Sequence, residues 1–272
     1  MGRVLGQARA LFVQPHLDDV AFACGAVVAR AADAGDHPVV VGVFTGPPTP
    51  GEPLGANLVA LHTKWGFGDD AWLSRRHEDE RALTILGAAP MWLPYQDAPY
   101  RGYSTFASIF AAIADDDPLV PQIASELFAR WRETPSARVY LPLGIGGHVD
   151  HQLCHAAGRL LEADGVPVRY YEDFPYATLP GLTSARLAGL HDAFVPELVD
   201  ITAWIERRIS AADAYVSQAS SLFTPTSVVA GTTDQVMRRH AGALAGGLPG
   251  CLERGPRYAE CFYRRVEHPG GG

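Results

Sequence analysis

Two short clusters of histidine and aspartate have the residue types and spacing that metal-assisted chemistry requires. The first is the segment QPHLDD at residues 14–19, and the second is GIGGHVDH at residues 144–151. Imidazole and carboxylate groups are ligands for divalent ions such as zinc, and a catalytic zinc site takes three protein ligands and leaves a position open for water. Each segment supplies only part of such a set. A complete site therefore requires the fold to bring the two clusters together.

Within each cluster, neighbouring side chains are suited to different tasks. Asp18 and Asp19 are adjacent, so their side chains diverge, and one can bind an ion while the other faces water as a proton carrier. His148 and His151 are three residues apart at the start of a predicted helix, which places them on neighbouring positions of one face. One of them can bind the ion while the other contacts the substrate oxygen. Taken alone, either cluster has a second interpretation, in which an aspartate caps the helix.

The apolar pattern around the clusters predicts the elements that position them. Residues 10–14 form a short β-rich run, residues 21–34 are alanine-dense with helical spacing, and residues 38–44 are valine-rich. The same criteria predict further strands at 91–94, 138–143 and 168–172, and helices at 76–87, 105–114, 118–132 and 153–163. Strands that are apolar throughout are buried on both faces. We therefore predict an α/β fold with a Rossmann-like, mostly parallel sheet and helices on both faces.

Each cluster directly follows a predicted strand and precedes a helix. In open α/β sheets the ligand crevice lies outside the carboxyl ends of the strands, where the strand order reverses. The two clusters can meet there. The sequence thus predicts a metal site at the carboxyl ends of the strands.

Beyond Pro180 the pattern becomes less regular. Residues 201–217 and 234–245 are predicted to be helical, residues 219–231 to be a loop, and residues 258–265 to be extended. The sequence contains no internal repeat and no low-complexity linker before its final glycines. We interpret residues 1–272 as one domain, with 180–272 as a less regular C-terminal part.

Composition restricts the partners. The chain has 272 residues, a formal net charge of −8 and 47% hydrophobic residues, and no basic run interrupts it. This charge balance argues against nucleic acid and favours a neutral or weakly charged small molecule. Neither a signal peptide nor a long apolar span is evident, and the four cysteines lack metal or disulfide spacing. We therefore expect a cytoplasmic protein with no membrane partner, whose oligomeric state the sequence leaves open.

The two clusters resemble the signatures of the PIG-L/LmbE-like deacetylases. PHLDDVAFACG is similar to the family's PHPDD-type motif, and GGHVDHQ is similar to its HxDH-type motif. The segment RRHEDE at residues 75–80, leading to Ile-Leu-Gly, resembles the family's arginine-containing helix, and YEDFPY at residues 171–176 resembles a segment of many bacterial members. The resemblance spans about residues 8–220. It departs at Leu17, where the family has proline, but the ligand positions are intact.

This resemblance implies a metal-dependent N-deacetylase that hydrolyses the acetamide of an amino sugar or glycoconjugate. By motif position, His16, Asp19 and His151 would hold one divalent ion, most consistent with Zn²⁺. Asp18 would serve as general base and then as general acid. An amide is a poor electrophile, so a metal that polarises its carbonyl and acidifies water suits this reaction.

The resemblance assigns three further residues. A protonated His148 would stabilise the developing oxyanion, and Asp150 would orient or tune His148. Arg76, if its helix faces the crevice, could bind substrate hydroxyls or a phosphate, although a solvated arginine is an equal alternative.

Two other functions compete with the deacetylase interpretation. His16, Asp18 and His151 also form a 2-His-1-carboxylate set, as in non-haem iron oxygenases, but those enzymes are jelly rolls of many short alternating strands. A non-catalytic sugar- or nucleotide-binding module would also suit a Rossmann-like opening. The glycine cradle for a pyrophosphate is missing, however, because Gly25 stands alone after the first strand.

Overall fold

Strands and helices alternate along most of the chain, as the apolar pattern predicts. The structure is a computed structural model that describes residues 7–49, 51, 56–64, 71–222, 229–248 and 257–266. The strands are β1 Ala10–Gln14, β2 Val39–Gly42, β3 Ala89–Trp92, β4 Arg138–Pro142, β5 Val168–Tyr171, β6 Ala193–Asp200 and β7 Ala259–Val266. The helices are α1 Asp19–Asp33, α2 Ala56–Lys64, α3 Ala71–Leu86, α4 Phe106–Ile109, α5 Leu119–Arg132, α6 Val149–Ala163, α7 Leu182–Gly189, α8 Ile205–Asp213, α9 Val216–Leu222 and α10 Thr233–Ala245.

The described strands form one seven-stranded sheet in the order β3-β2-β1-β4-β5-β7-β6. The pairs from β3 to β5 are parallel, whereas β7 is antiparallel to both β5 and β6. Leu11 of β1 lies opposite Val39 of β2 on one side and Val139 of β4 on the other. The chain builds outward from β1 to β3 and then crosses back to β4, so the strand order reverses between β1 and β4. The predicted α/β fold is confirmed, and this reversal is the place where such sheets bind ligands.

Successive residues of the central strands supply two cores, one on each face of the sheet. Phe12 and Val40 pack with helices α1, α3, α8 and α10 on one face. Leu11, Val13 and Val41 pack with α5 and α6 on the other. Burial on both faces explains why these strands are apolar throughout rather than alternating.

Helix α1 is interrupted close to the first cluster. Cys24 has non-helical dihedral angles, φ −140° and ψ 24°, which divide the helix into two segments. On the C-terminal side of the break, the Glu260 carboxylate of β7 accepts hydrogen bonds from the backbone N–H groups of Ala26 and Val27, at 3.0 and 2.9 Å. These donors would otherwise be buried without partners.

The N-terminal side of the break is satisfied by Arg208 of α8. Its guanidinium donates to the carbonyl of Phe22 and lies 3.4 Å from Glu260. Arg208 and Glu260 are only 1% and 2% exposed, so this is a buried ion pair. Two elements of the C-terminal part therefore hold the backbone of α1 on both sides of the break, which lies just after the first turn and its Asp19.

Several predicted boundaries are wrong. The predicted helix 105–114 is helical only over Phe106–Ile109, and the predicted helix 201–217 is two helices, α8 and α9. Helix α9 extends into the predicted loop 219–231, of which residues 223–228 lie outside the described residues. Strand β6 has no counterpart in the prediction, because its residues are half-exposed and lack a continuous apolar run.

The parallel sheet disagrees with the jelly roll that the oxygenase alternative requires. Gly25 lies inside α1 rather than in a glycine-rich turn, which removes the structural basis of a pyrophosphate cradle. Within the part of the chain that the structure describes, no helix combines the length and apolar character that crossing a membrane requires.

Candidate active site

The two clusters meet in a cleft at the carboxyl ends of β1 and β4. The cleft has a volume of about 200 Å³, and its lining includes His16, Asp18, Asp19, His148 and His151. The histidine rings lie close together, with centroids 4.7 Å apart for His16 and His148 and 5.2 Å apart for His16 and His151. The prediction that the fold joins the two clusters at one edge of the sheet is therefore confirmed.

His16 has carboxylates at both ring nitrogens. Its Nε2 lies 2.9 Å from Asp150 and 3.3 Å from Asp97, and its Nδ1 lies 3.5 Å from Asp19. A carboxylate only accepts hydrogen bonds, so the close contact with Asp150 assigns the Nε2 proton to His16. Burial opposes the charged form, but Asp97, Asp150 and Asp19 together raise the pKa of His16 well above its ordinary value. When His16 is neutral, Nδ1 is its unprotonated nitrogen, and the Nδ1 lone pair faces Asp19.

His151 also has a carboxylate at each ring nitrogen, but the roles of Nδ1 and Nε2 are exchanged relative to His16. Its Nδ1 lies 2.6 Å from Asp173, and its Nε2 lies 3.4 Å from Asp19. Burial opposes ionisation, yet Asp19 and Asp173 raise the pKa of His151. Metal-binding histidines commonly donate their outer N–H to a carboxylate in this way, which fixes the tautomer and orients the ring.

These contacts fit a divalent cation between His16, Asp19 and His151. Asp19 faces Nδ1 of His16 and Nε2 of His151, which we call the inner nitrogens. Burial opposes the ionisation of Asp19, but His151 and His16 lower its pKa to about 2, so it is a carboxylate at neutral pH. A second combination replaces Asp19 with His148, and in that combination one possible ligand atom of each histidine lies within 4.8 Å of the others. The positions of the ring protons on the histidines decide between these two sets of ligands.

His148 has the opposite hydrogen-bond pattern. It is the N-cap of α6, and its Nδ1 accepts a hydrogen bond from the backbone N–H of Asp150 at 3.2 Å. The proton of the neutral ring is therefore on Nε2, which suits a donor and not a metal ligand. Burial and the nearby His16 and His151 lower the pKa of His148 to about 2. The expectation of a protonated His148 is thus corrected to a neutral ring.

Asp18 is held in an uncommon backbone conformation before α1. Its φ is 136°, in the region that non-glycine residues rarely adopt, and its side chain makes no cap hydrogen bond to the helix. The helix-cap interpretation of this aspartate is therefore wrong. Burial and Asp19 raise the pKa of Asp18 to about 8, against the effect of the Arg75 guanidinium 3.6 Å away.

Asp150 contacts a different histidine from the expected one. Its carboxylate, which is fully buried, accepts hydrogen bonds from His16, from the backbone of Ala98 and from Arg101, the last at 2.7 Å. Its link to His148 is through its backbone N–H alone. The expectation that Asp150 orients the His148 side chain is therefore corrected: its side chain orients His16.

Arg76 does not line the cleft. Its guanidinium lies over the rings of Trp92 and Trp72, 4.0 and 5.0 Å from their centroids. Arg75 lines the cleft in its place, donating to the carbonyl of Leu17 at 2.9 Å. The helix therefore presents position 75 to the cleft. The side chain at position 76 points about 100° away around the helix axis.

The residues selected from the sequence do not include four other groups around the site. Asp97 and Arg101 follow β3 and contact His16 and Asp150, and no recognisable motif marks them. Asp173 accepts from the N–H groups of Gly144 and Ile145, at 2.7 and 2.8 Å, besides contacting His151. Tyr176 lies in the cleft wall. The last two belong to the YEDFPY segment, whose position just after β5 was the available signal.

Comparison with known proteins adds independent information. Residues 11–161 match the PIG-L family, described as GlcNAc-PI de-N-acetylase. The chain is 32% identical over 179 residues to a 2'-N-acetylparomamine deacetylase of Streptomyces fradiae, an alignment that covers 64% of this chain and 59% of the relative. It is 32% identical over 187 residues to the enzyme of the same description from Niallia circulans, covering 61% and 66%. The chain thus spans about three fifths to two thirds of these relatives.

A solved structure resembles almost the whole chain. The zinc-inhibited form of a teicoplanin deacetylase superposes with a TM-score of 0.77 at 26% identity and covers 96% of this chain and 99% of that one. The similarity therefore extends through the C-terminal elements that the family match does not reach.

Proposed function

The chain belongs to the PIG-L family, and from this premise we propose that it is a metal-dependent N-deacetylase that releases acetate from an acetylated amino sugar or glycoconjugate. The observation that carries the proposal is the pair of carboxylate-buttressed histidines, His16 and His151, whose inner nitrogens face Asp19 at 3.5 and 3.4 Å. The relatives named as deacetylases support the same chemistry. We treat residues 1–272 as one domain.

We assign His16, Asp19 and His151 as the residues that would hold one divalent cation, with Zn²⁺ as the preferred ion for two imidazoles and a carboxylate. When bound, such a cation polarises an amide carbonyl and lowers the pKa of water. Asp150 and Asp173 hold the outer nitrogens of the two histidines, which would keep the inner nitrogens available to a cation.

Asp18 would move the protons of the reaction. It lines the cleft without being used as a helix cap. A cation held beside it would favour its ionised form against the burial that raises its pKa. Its carboxylate would then accept the proton of the attacking water. The same carboxylate would then return that proton to the leaving amine nitrogen. Arg75, 3.6 Å away, would hold Asp18 in place while its charge changes.

His148 would stabilise the charge that develops on the acetamide oxygen. Its Nδ1 is occupied as an acceptor, so its Nε2–H is the group that can donate. A donor placed at an oxyanion strengthens its hydrogen bond as charge develops. The nearby N-terminus of α6 adds a dipole of the same sign.

We propose a class of substrate and a cellular compartment. An amino sugar within a small glycosylated molecule agrees with the named relatives and with the net charge of −8, and we propose no nucleic-acid or membrane partner. A cytoplasmic setting agrees with the three described cysteines, Cys24, Cys154 and Cys261, which are buried thiols.

The proposal is tested by metal analysis of the purified protein together with acetate release from N-acetylglucosamine conjugates, before and after chelation. We expect about one ion per chain, loss of acetate release after chelation, and its return with the first equivalent of Zn²⁺. A structural relative has a zinc-inhibited form. Acetate release is therefore measured both at one equivalent of Zn²⁺ and in excess Zn²⁺. A protein that binds no ion and releases no acetate from any conjugate would instead favour a sugar-binding module.

A further inference from the structure

A row of aromatic rings leads from the cleft to solvent. The ring centroids of His148 and Phe110 are 5.5 Å apart, and those of Phe110 and Phe106 are 4.5 Å apart. Tyr176 of the cleft wall lies 6.0 Å from Phe110. Phe106, at the outer end, is 80% exposed, the largest exposed fraction among the large apolar residues that the structure describes.

Neither phenylalanine belongs to the two cores formed by the described residues. Burying an aromatic side chain stabilises a fold, and the fold forgoes this stabilisation at Phe106. Single exposed apolar residues are common on protein surfaces. This one is different because it continues through Phe110 to His148, and the intervening Ile109 lines the cleft.

The segment that carries the row is fixed in place. Thr105 and Ser108 form a capping box at the start of α4, with hydrogen bonds of 3.1 Å in each direction. The Gln152 side chain of α6 donates to the carbonyl of Ala111 at 2.8 Å. The rings are therefore held at the rim in advance, which lowers the entropy cost of binding a ligand against them.

We propose that Phe106 and Phe110 form a subsite for a second ring of the substrate, joined to the sugar that bears the acetamide. This inference rests on the proposed function, which places the acetamide oxygen at His148. Rings of sugars and cyclitols present apolar C–H faces that bury well against aromatic side chains, while their polar groups remain in water.

Charge indicates what the second ring carries. The acidic run at residues 115–117 follows the aromatic segment within a few residues, and the whole chain has a net charge of −8. This negative charge in the sequence favours a second ring with hydroxyl or amino substituents over a phosphate-bearing one.

The subsite is tested by comparing a two-ring with a one-ring substrate. In steady-state kinetics, Phe106→Ala, Phe110→Ala and the double variant should raise the KM for 2'-N-acetylparomamine by about tenfold. For Phe106→Ala, which leaves the contact between Phe110 and His148 in place, the kcat and all constants for N-acetylglucosamine itself should stay unchanged. Phe106→Tyr keeps the ring and should retain the wild-type KM. Val195→Ala, which alters another exposed apolar residue on β6, is the matched control.

Binding of the deacetylated product, paromamine, measured by calorimetry separates this inference from the proposed function. If the wild-type protein hydrolyses neither substrate, the proposed function fails, while weaker paromamine binding by the double variant would still support the subsite. An unchanged paromamine affinity, or equal changes for one-ring and two-ring compounds, would overturn the subsite whether or not the protein is a deacetylase.

Discussion

At the scale of single residues, the three histidines of the cleft differ in which ring nitrogen carries the proton. His16 and His151 donate their outer N–H groups to carboxylates, whereas His148 accepts a backbone N–H at Nδ1. This difference in hydrogen bonding separates the two proposed ligand histidines from the proposed donor histidine, although all three have the same side chain. The motif spacing alone does not reveal it, because tautomers depend on partners distant in sequence.

Replacing Asp18 by asparagine should leave the cation bound and remove most of the turnover. Asparagine has nearly the same shape and tolerates positive φ better than most residues, so the strained position should persist. Loss of general acid–base catalysis costs roughly a hundredfold to ten-thousandfold in rate. The check is kcat together with metal content, and normal turnover in Asp18→Asn would disprove the proton-transfer role.

Changes at His148 should slow the chemistry without releasing the cation. His148→Ala should lower kcat by roughly a hundredfold to a thousandfold, the usual cost of one oxyanion donor. His148→Gln supplies an amide N–H and should recover part of that loss. Elemental analysis of both variants is decisive, because loss of the ion in either would make His148 a ligand and exchange its role with that of His151.

At the scale of elements, the break in α1 depends on residues that are far away in sequence. Glu260 and Arg208 come from β7 and α8, and together they satisfy the backbone groups on both sides of Cys24. The helix divides just after the turn that carries Asp19. These two elements thereby support the site, although Glu260 and Arg208 do not line the cleft.

Removing one partner of this buried pair should be costly. Glu260→Gln leaves the Arg208 charge uncompensated, and such losses typically destabilise a protein by about 3–5 kcal/mol. Glu206→Gln, which removes the exposed partner of Arg238, should cost only about 0–1 kcal/mol. Urea unfolding measures both. Similar values for the two variants would show that the buried pair has no special structural role.

Asp79 of α3 should make stability depend on pH. Burial raises its pKa, although Gln14, Tyr215 and Trp92 all donate to its carboxylate. A carboxyl group with a raised folded pKa holds its proton more tightly when folded, so its contribution is fully present below the unfolded value, about 3.9, and is lost as the pH rises through the folded pKa.

The wild-type protein should therefore gain stability relative to Asp79→Asn as the pH falls from 7 towards 4.5, by at most about 1.4 kcal/mol per pH unit. Asp33→Asn is the control, because Arg207 and Trp204 lower the pKa of Asp33 and leave it ionised over this range. Urea unfolding at several pH values gives the difference, and parallel curves for wild type and Asp79→Asn would contradict the assignment.

The sequence predicts the central elements better than the peripheral ones. Strands β1, β2, β4 and β5 are buried on both faces and are recognised by their apolar runs, and with them the position of both clusters. Strand β6 is half-exposed, and its partner β7 lies far along the chain, so no local pattern indicates their pairing. Asp97 was missed for a related reason, since its role arises only where the turn after β3 meets His16.

At the scale of the whole molecule, the bound cation should act as a stabilising ligand. An ion that binds only the folded chain, at a thousand times its Kd, contributes about 4.1 kcal/mol. For a protein of this size we expect chelation to lower Tm by roughly 8–16 °C. Thermal unfolding of metal-free protein with and without one equivalent of Zn²⁺ measures the shift. His151→Ala should show almost none, and an equal shift in that variant would place the ion elsewhere.

Strand β7 also determines the order in which the molecule can be completed. It lies between β5 and β6 in the sheet and carries Glu260, yet it is the last described strand to leave the ribosome. Until it emerges, a nascent chain contains both histidine clusters but has an open edge at β5 and an unsatisfied break in α1. Tight capture of the proposed cation would then be a late event in biosynthesis, and a chain that stalls before β7 would carry the proposed ligand residues without the geometry to use them.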